Sequence, residues 1–281
     1  MSRFQLFNGE YFDADEPLLT TSNRGVSYGD GFFESMKFAD GRVLFLNGHW
    51  KRLERAASFL QLTIPDVLTE RSLESMAKDL VTKNGFSAAR LRFQAFRAGA
   101  GRYTPDQMEM SWSMHCEELP YSEYRLNSKG LNIGICRSHS INPSPQSSFK
   151  TSNSLPYVLA GIEARKQLWD DCLLLDQKGF VAEATGSNIF IVKGDQLLTP
   201  DLLNGGVSGV MRVVVSQLAG SVGLNLIQTS ISEQDLQSAD ECFLTNAVRG
   251  PQWVAAFDKK RFFKRKTSAI VDELNRVCGL N

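Results

Sequence analysis

Cysteine is scarce and unpaired here: Cys116, Cys136, Cys172, Cys242 and Cys278 are scattered over 281 residues and never form a Cys-x-x-Cys. An odd, dispersed set argues against a disulfide framework or a structural zinc site and fits reduced thiols in a cytoplasmic protein. Histidine is scarcer still. His49, His115 and His139 lie too far apart to suggest a metal centre, so no metal is expected. No apolar run approaches the roughly 20 residues that a membrane helix needs. The first ten residues lack the apolar stretch of a signal peptide. Charge of one sign is also missing: 31 Lys+Arg face 31 Asp+Glu. That balance gives no support for nucleic acid or an anionic membrane as a partner. No internal repeat or low-complexity tract is present.

A chain of 281 residues suffices for one large or two moderate domains with a sizeable core. Residues 4–8 and 10–12 read as a hairpin around Asn8-Gly9. Residues 32–38 and 43–46 flank Ala39-Asp40-Gly41-Arg42, a strand–turn–strand signal. In 49–62, Leu53, Ala56, Ala57 and Leu60 recur at helical spacing; 71–84 is a second amphipathic helix ended by Gly85. Strands are expected at 89–96 and 108–115. The polar stretch around Leu119-Pro120-Tyr121 breaks the pattern, as a connection would. The expected organisation is therefore a domain at 1–118, a connection at 119–129 and a domain at 130–281. The latter would hold strands at 131–137 and 240–245, and hairpins 172–176/180–183 and 189–192/196–199. Its helices would be 154–167, 210–222 and 268–277, with Pro156 tolerated in a first turn. Helices and strands mix without strict alternation, which predicts an α+β fold.

Chemistry concentrates in a few segments. Lys150 stands in Ser148-Phe149-Lys150-Thr151-Ser152-Asn153, and Glu183 opens Glu183-Ala184-Thr185-Gly186-Ser187-Asn188. Most lysines are solvated surface groups. A nucleophilic lysine needs desolvation or a neighbouring cation to lower its pKa. A carboxylate beside a pyridine nitrogen keeps that nitrogen protonated and strengthens it as an electron sink. Lysine and carboxylate together are the minimal apparatus of pyridoxal phosphate (PLP) chemistry. Asn188 would orient the carboxylate or a phosphate. Leu203-Asn204-Gly205-Gly206-Val207-Ser208-Gly209 leads into a helix, a natural anion cradle, and is not a Walker A sequence. Thr245-Asn246-Ala247 is a second phosphate candidate, and Arg52 a candidate cation. Arg97 and Arg102, in the loop Arg97-Ala98-Gly99-Ala100-Gly101-Arg102-Tyr103, suit bidentate capture of a carboxylate.

In this order the segments resemble the class IV (fold-type IV) PLP enzymes: branched-chain aminotransferases, D-amino acid aminotransferases and aminodeoxychorismate lyases. Residues 24–34 are similar to the family's N-terminal segment, and His49-x-x-Arg52-Leu53 to its phosphate-arginine motif. Lys150 matches the Schiff-base lysine. Glu183 with Gly186-Ser187-Asn188 matches the ring-nitrogen segment, and Gly206-Val207-Ser208-Gly209 the phosphate turn. The resemblance implies a small N-terminal α/β domain, a larger C-terminal pseudo-barrel domain carrying Lys150, and PLP between them. It implies a homodimer. It assigns the cofactor to Arg52, Lys150, Glu183, Ser187, Asn188, Gly206, Val207, Ser208, Thr245 and Asn246. It assigns a carboxylate-bearing amino substrate to Tyr28, Ser35, Arg97, Arg102 and Asn246, with Lys150 as the catalytic base and acid.

Within the family, the Arg97–Tyr103 loop is most similar to aminodeoxychorismate lyases, which release pyruvate to give 4-aminobenzoate for folate. Branched-chain enzymes carry a tyrosine five residues after the lysine and Glu-Gly in the N-terminal segment; here stand Leu155 and Glu34-Ser35. D-amino acid enzymes pair an arginine with a histidine two residues on; here Thr104 follows Arg102 at that spacing. The lyase reading leads, transamination of an amino acid is the alternative, and a cofactor-free binding module is the third.

Overall fold

The computed structural model describes residues 2–280. Met1 and Asn281, the outer bounds of the expected domains, lie outside the described residues. Two compact units form: one runs to Ser122 and includes Phe149–Asn153, and the other comprises Glu123–Ser148 and the chain from Ser154 onward.

The first unit contains β1 (Phe4–Phe7), β2 (Glu10–Asp13), α1 (Arg24–Tyr28), β3 (Gly31–Ala39), β4 (Arg42–Val43), α2 (Leu46–Phe59), α3 (Glu70–Lys83), β5 (Ala89–Arg97) and β6 (Met110–Glu118). Its sheet runs β2-β1-β6-β5-β3-β4, antiparallel throughout. The Asn8-Gly9 turn has both residues at positive φ, as a tight hairpin requires. Strand alternation sends Phe32, Met36 and Phe38 to one side of the sheet. There they pack on Leu53, Ala56 and Ala57 of α2 and on Leu73, Ala77 and Leu80 of α3. Fully burying each such leucine contributes roughly 1.5–3 kcal/mol. The Thr69/Ser72 capping box starts α3. Phe33, Ser35 and Lys37 take the opposite side, paired across β5 with Gln94, Arg92 and Arg90.

Phe149–Asn153 adds to the first unit as an extra edge. Phe33 N–H donates to Lys150 O at 2.8 Å, Ser152 N–H to Gly31 O at 2.9 Å, and Thr151 bridges Phe32. Phe149 packs on Phe59 with ring centroids 5.3 Å apart. The lysine segment is thus fixed by the first unit's sheet, although the chain on both sides of it belongs to the second unit.

The second unit contains β7 (Leu131–Ile141), α4 (Leu155–Lys166), β8 (Asp171–Asp176), β9 (Val181–Ala184), β10 (Asn188–Lys193), β11 (Gln196–Pro200), α5 (Val210–Leu218), β12 (Asn225–Thr229), α6 (Glu233–Ser238), β13 (Glu241–Asn246), β14 (Gly250–Phe257), β15 (Lys260–Arg261) and α7 (Arg265–Cys278). Its mixed sheet runs β12-β11-β10-β13-β14-β7-β8-β9, with β15 on β14. The sheet curls: its end strand β9 returns to lie against β10 and β11. The curl gathers Ile189, Ile191, Leu173, Val181, Leu244 and Val254 into one core. Helix, antiparallel sheet and curled mixed sheet make the fold α+β.

Several expectations on elements are corrected. The strand expected at 43–46 is only Arg42–Val43, because Phe45 turns left-handed (φ 56°) and Leu46 opens α2. The helix expected over 210–222 stops at Leu218, and Gly220–Val222 is a separate 3₁₀ turn. The sequence reading missed α1, β12, α6, β14 and β15. α1 and α6 are too short for a periodic signal. Pro251 disguises β14, a strand interior to the sheet.

Candidate active site

In the first unit the central constellation is Glu34 on β3 with His49 and Arg52 on α2. Glu34 is 2 % exposed, sitting among the core-facing residues of its strand. Arg52 holds it with a two-point fork, Nε to Oε1 at 2.7 Å and Nη2 to Oε2 at 2.6 Å. His49 Nδ1 lies 2.7 Å from Oε2. Burial pushes the Glu34 carboxyl up, but Arg52's charge and hydrogen bond, then His49's, outweigh it and hold the group at about 2. Burial drives the His49 pKa down, against the pull of Glu34, and the charges of Arg52 and Lys150 push the same way. His49 is therefore neutral beside an ionised Glu34, and its Nε2 is buried with no hydrogen-bond partner. Arg52 is locked in orientation by the carboxylate. His49 and Arg52 belong to the expected motif, one helical turn apart; Glu34 as the carboxylate that both of them grip is what sequence reasoning missed.

On the sheet's other side, the Lys150 Nζ lies 4.6 Å from the centre of the Phe33 ring, and the Arg92 guanidinium lies 3.6 Å from the same centre. Ser35 pairs with Arg92 across the strands, and Arg92 donates to Gln94 at 3.2 Å. Arg92 was not anticipated. Only the strand register reveals that it shares a face and an aromatic ring with the lysine.

Arg97 of the 97–103 loop behaves differently from expectation. Arg97 is 6 % exposed. Its fork grips Asp30 at 3.0 and 3.3 Å, and its remaining donors reach Leu60 O, Gln61 O and Met108 Sδ. All five N–H groups are engaged, so Arg97 has none left for a substrate carboxylate. Arg24 completes the knot, binding Asp30 and the carbonyls of Ala100, Gly101 and Arg102. The two arginines tie down the loop. Arg102 itself is exposed, and Tyr103 stands 91 % exposed with its ring 5.7 Å from that of Tyr28.

The second unit gathers the other expected residues. Glu183, at 4 % exposure on β9, accepts from the Tyr157 hydroxyl at 2.7 Å and from Asn188 Nδ2 at 3.3 Å. The same Asn188 amide donates to Val207 O at 2.9 Å, linking the carboxylate to the glycine turn. That turn is built for close approach. A Cβ on Gly209 would stand 1.9 Å from Asn188 Oδ1, and one on Gly206 2.8 Å from Ala182 O. Gly205 takes φ 91° to start it, and Gly209 caps α5. Ser208 N–H donates to Ser148 O at 3.0 Å. Asn246 Nδ2 donates to Ser187 Oγ at 3.1 Å, and its Oδ1 accepts from the N–H groups of Val248 and Arg249. Asp171 ties Thr185 through its amide and hydroxyl, bracing the same loop. Thr245 is fully buried, and its Oγ1 has no hydrogen-bond partner. Tyr157 and Asp171 went unrecognised in the sequence. Nothing in their spacing from Glu183 marks them.

Cys136, His139 and Glu163 bring their ligand atoms within 4.8 Å of one another, where the β7 ladder shifts register beside α4. Glu163 already accepts there from the N–H groups of Arg137 and Ser138, the Ser138 hydroxyl and the Cys136 thiol. These bonds stitch the irregular strand to the helix.

The family model of amino-transferase class IV matches residues 31–257. The chain belongs to this family. A putative branched-chain-amino-acid aminotransferase of Methanocaldococcus jannaschii is 32% identical over 246 residues, covering 86% of this chain and 83% of that protein. An aminodeoxychorismate lyase of Bacillus subtilis is 28% identical over 247 residues, covering 86% and 82%. The crystal structure of a branched-chain aminotransferase from Thermoproteus uzoniensis with norvaline superposes with a TM-score of 0.89 at 26% identity, over 99% of this chain and 95% of that one. The protein is thus an enzyme of a PLP-dependent family of aminotransferases and lyases, and the expected fold-type IV architecture is the one observed.

A class IV aminotransferase needs a phosphate cradle, a carboxylate and an amine, and the residues fit. The buried, unpartnered Thr245 hydroxyl and a glycine turn that tolerates no side chain suit a phosphate. Glu183, held at both oxygens, suits a ring nitrogen. Lys150 is half-buried against an aromatic ring, with its backbone fixed.

Proposed function

We propose that this enzyme binds PLP and acts on a carboxylate-bearing amine, with pyruvate elimination from 4-amino-4-deoxychorismate to give 4-aminobenzoate as its reaction. Lys150 would carry the cofactor covalently and, once freed by substrate, move a proton at the substrate's α-carbon. Bound PLP supplies the electron sink for the pair left when a bond to that carbon breaks. Glu183 would keep the ring nitrogen protonated. The amides of Gly206 and Val207, with the side chains of Ser208, Arg52, Thr245, Ser187 and Asn246, would hold the phosphate end.

The observation that carries the lyase reading is the side chains around Lys150. Lys150 and Arg92 both lie against the Phe33 ring, and Ser35 and Gln94 stand on the same face of β3 and β5. A flat ring carrying carboxylates matches an aromatic and cationic lining better than a branched alkyl chain does. Arg92 replaces Arg97 as the candidate carboxylate cation, with Ser35 beside it. A second reading, transamination of an amino acid to a 2-oxo acid, is favoured by the likeness to the Methanocaldococcus protein and uses the same cofactor residues.

The test is to load the purified protein with PLP, add aminodeoxychorismate, and assay 4-aminobenzoate and pyruvate. Release of both in equal amounts is expected. No release, together with loss of the cofactor's visible band on adding one amino acid, would establish the transaminase instead. A protein that takes up no PLP would overturn both. The working molecule is proposed to be a homodimer; the apolar face of α4, where Leu155, Val158 and Ile162 are exposed in a single chain, supports that reading.

A further inference from the structure

We propose that Tyr157 is a positioning residue for Glu183, and that its hydroxyl decides how far the carboxylate shares the proton of the cofactor's ring nitrogen. The proposal rests on the PLP reading above. Tyr157 lies in the first turn of α4, after Pro156. Its ring packs against the cluster of Ala160, Ala164, Cys172, Leu174 and Ala182 that joins α4 to β8 and β9. Apolar packing therefore sets the ring, and the ring sets the hydroxyl 2.7 Å from Glu183 Oε1.

The direction of this bond is not in question. Burial, and then the Glu183 charge, drive the phenol's ionisation far above its ordinary value, so the group is a neutral donor throughout the physiological range. Asn188 donates to the other oxygen at 3.3 Å. A carboxylate that accepts hydrogen bonds is stabilised in its ionised form and is a weaker base. Opposite a protonated pyridine nitrogen, a weaker base leaves the proton on the ring, which is where it strengthens the electron sink. Removing the hydroxyl removes a bond to a charged group, enough to raise the carboxylate's basicity by about tenfold. A phenylalanine at 157 would keep every apolar contact and lose only that bond.

The experiment compares wild type and Tyr157→Phe, each loaded with PLP carrying nitrogen-15 in the ring, by recording the nitrogen chemical shift across pH. Glu183→Gln marks the end-point at which the carboxylate is gone. The expected result is that both proteins load and melt alike, while the variant's nitrogen signal moves toward the unprotonated form and kcat falls about tenfold with KM little changed. Fluorotyrosine in place of Tyr157, a stronger donor of the same shape, should move the signal the opposite way. It also serves if the phenylalanine variant does not fold. A wild type that loads normally, with variant signals that coincide with it, would overturn the assignment of Tyr157 alone. A wild type that takes up no PLP would overturn the functional reading, and this inference with it.

Discussion

The two arginines that flank the substrate question differ in what surrounds them. Arg97 is buried on Asp30, and Arg92 is half-buried on Phe33 with Gln94. Truncating one partner of a buried, hydrogen-bonded ion pair costs about 3–5 kcal/mol. Arg97→Ala should therefore lower stability by about 3 kcal/mol in a denaturant titration, and Arg92→Gln should leave stability nearly intact while raising KM for a dicarboxylate substrate. The reverse outcome would restore Arg97 to the substrate site. Glu34 and His49 set an acid response. Glu34 titrates at about 2 in the fold against an ordinary 4.5, so the stability it contributes is complete above 4.5 and is lost as pH falls toward 2. The folded His49 pKa lies below 6.5, so the unfolded chain takes up that proton first and acidification below 6.5 also favours unfolding. Both groups act in the same direction. The melting temperature should fall steadily from pH 6.5 downward, and His49→Gln should flatten the upper part of that fall.

At the scale of elements, the glycine turn and β10 form one device through Asn188. Gly209→Ala would drive a Cβ to 1.9 Å from Asn188 Oδ1 and must displace the side chain that holds both Glu183 and Val207. Weaker PLP retention during dialysis is expected, with a smaller loss in melting temperature than a core truncation would give. Gly134 is the contrasting case. A Cβ there would meet the Trp169 ring at 2.3 Å in the packing of β7 beneath α4, so Gly134→Ala should destabilise the fold with no specific effect on cofactor uptake. Comparing the two variants by thermal melting and by cofactor retention separates a site glycine from a packing glycine.

For the whole molecule, the surface that bears on assembly is α4. Leu155, Val158 and Ile162 recur along one exposed stripe, at 65, 54 and 46 % exposure. If a second copy covers it, Ile162→Glu should shift the protein from dimer to monomer in analytical ultracentrifugation while the far-ultraviolet spectrum is unchanged. A variant that remains dimeric would place the interface elsewhere. Among the described residues, no helix is long and apolar enough to cross a membrane.

The sequence by itself determined the element types wherever periodicity ran long enough: α2, α3, α4, α7 and the strands β3, β5, β8, β10 and β13 lie within a few residues of their expected places. It also determined the family, because Lys150, Glu183, the Gly206–Gly209 turn and Arg52 keep a fixed order along the chain. Short elements such as α1 and α6 left no readable period. The tertiary structure alone decided which donors are free. Arg97 looked available in its glycine-rich loop, yet Asp30 and the carbonyls of Leu60 and Gln61 come from distant segments and engage it fully. Arg92 looked like an ordinary strand residue until the pairing of β3 with β5 set it against Phe33. Tyr157 looked like part of a helix start until packing aimed its hydroxyl at Glu183. Periodicity and motif order are local properties that one segment carries within itself. A hydrogen-bond donor is satisfied or free only through what the rest of the fold brings to within about 3 Å of it, and no local pattern records that.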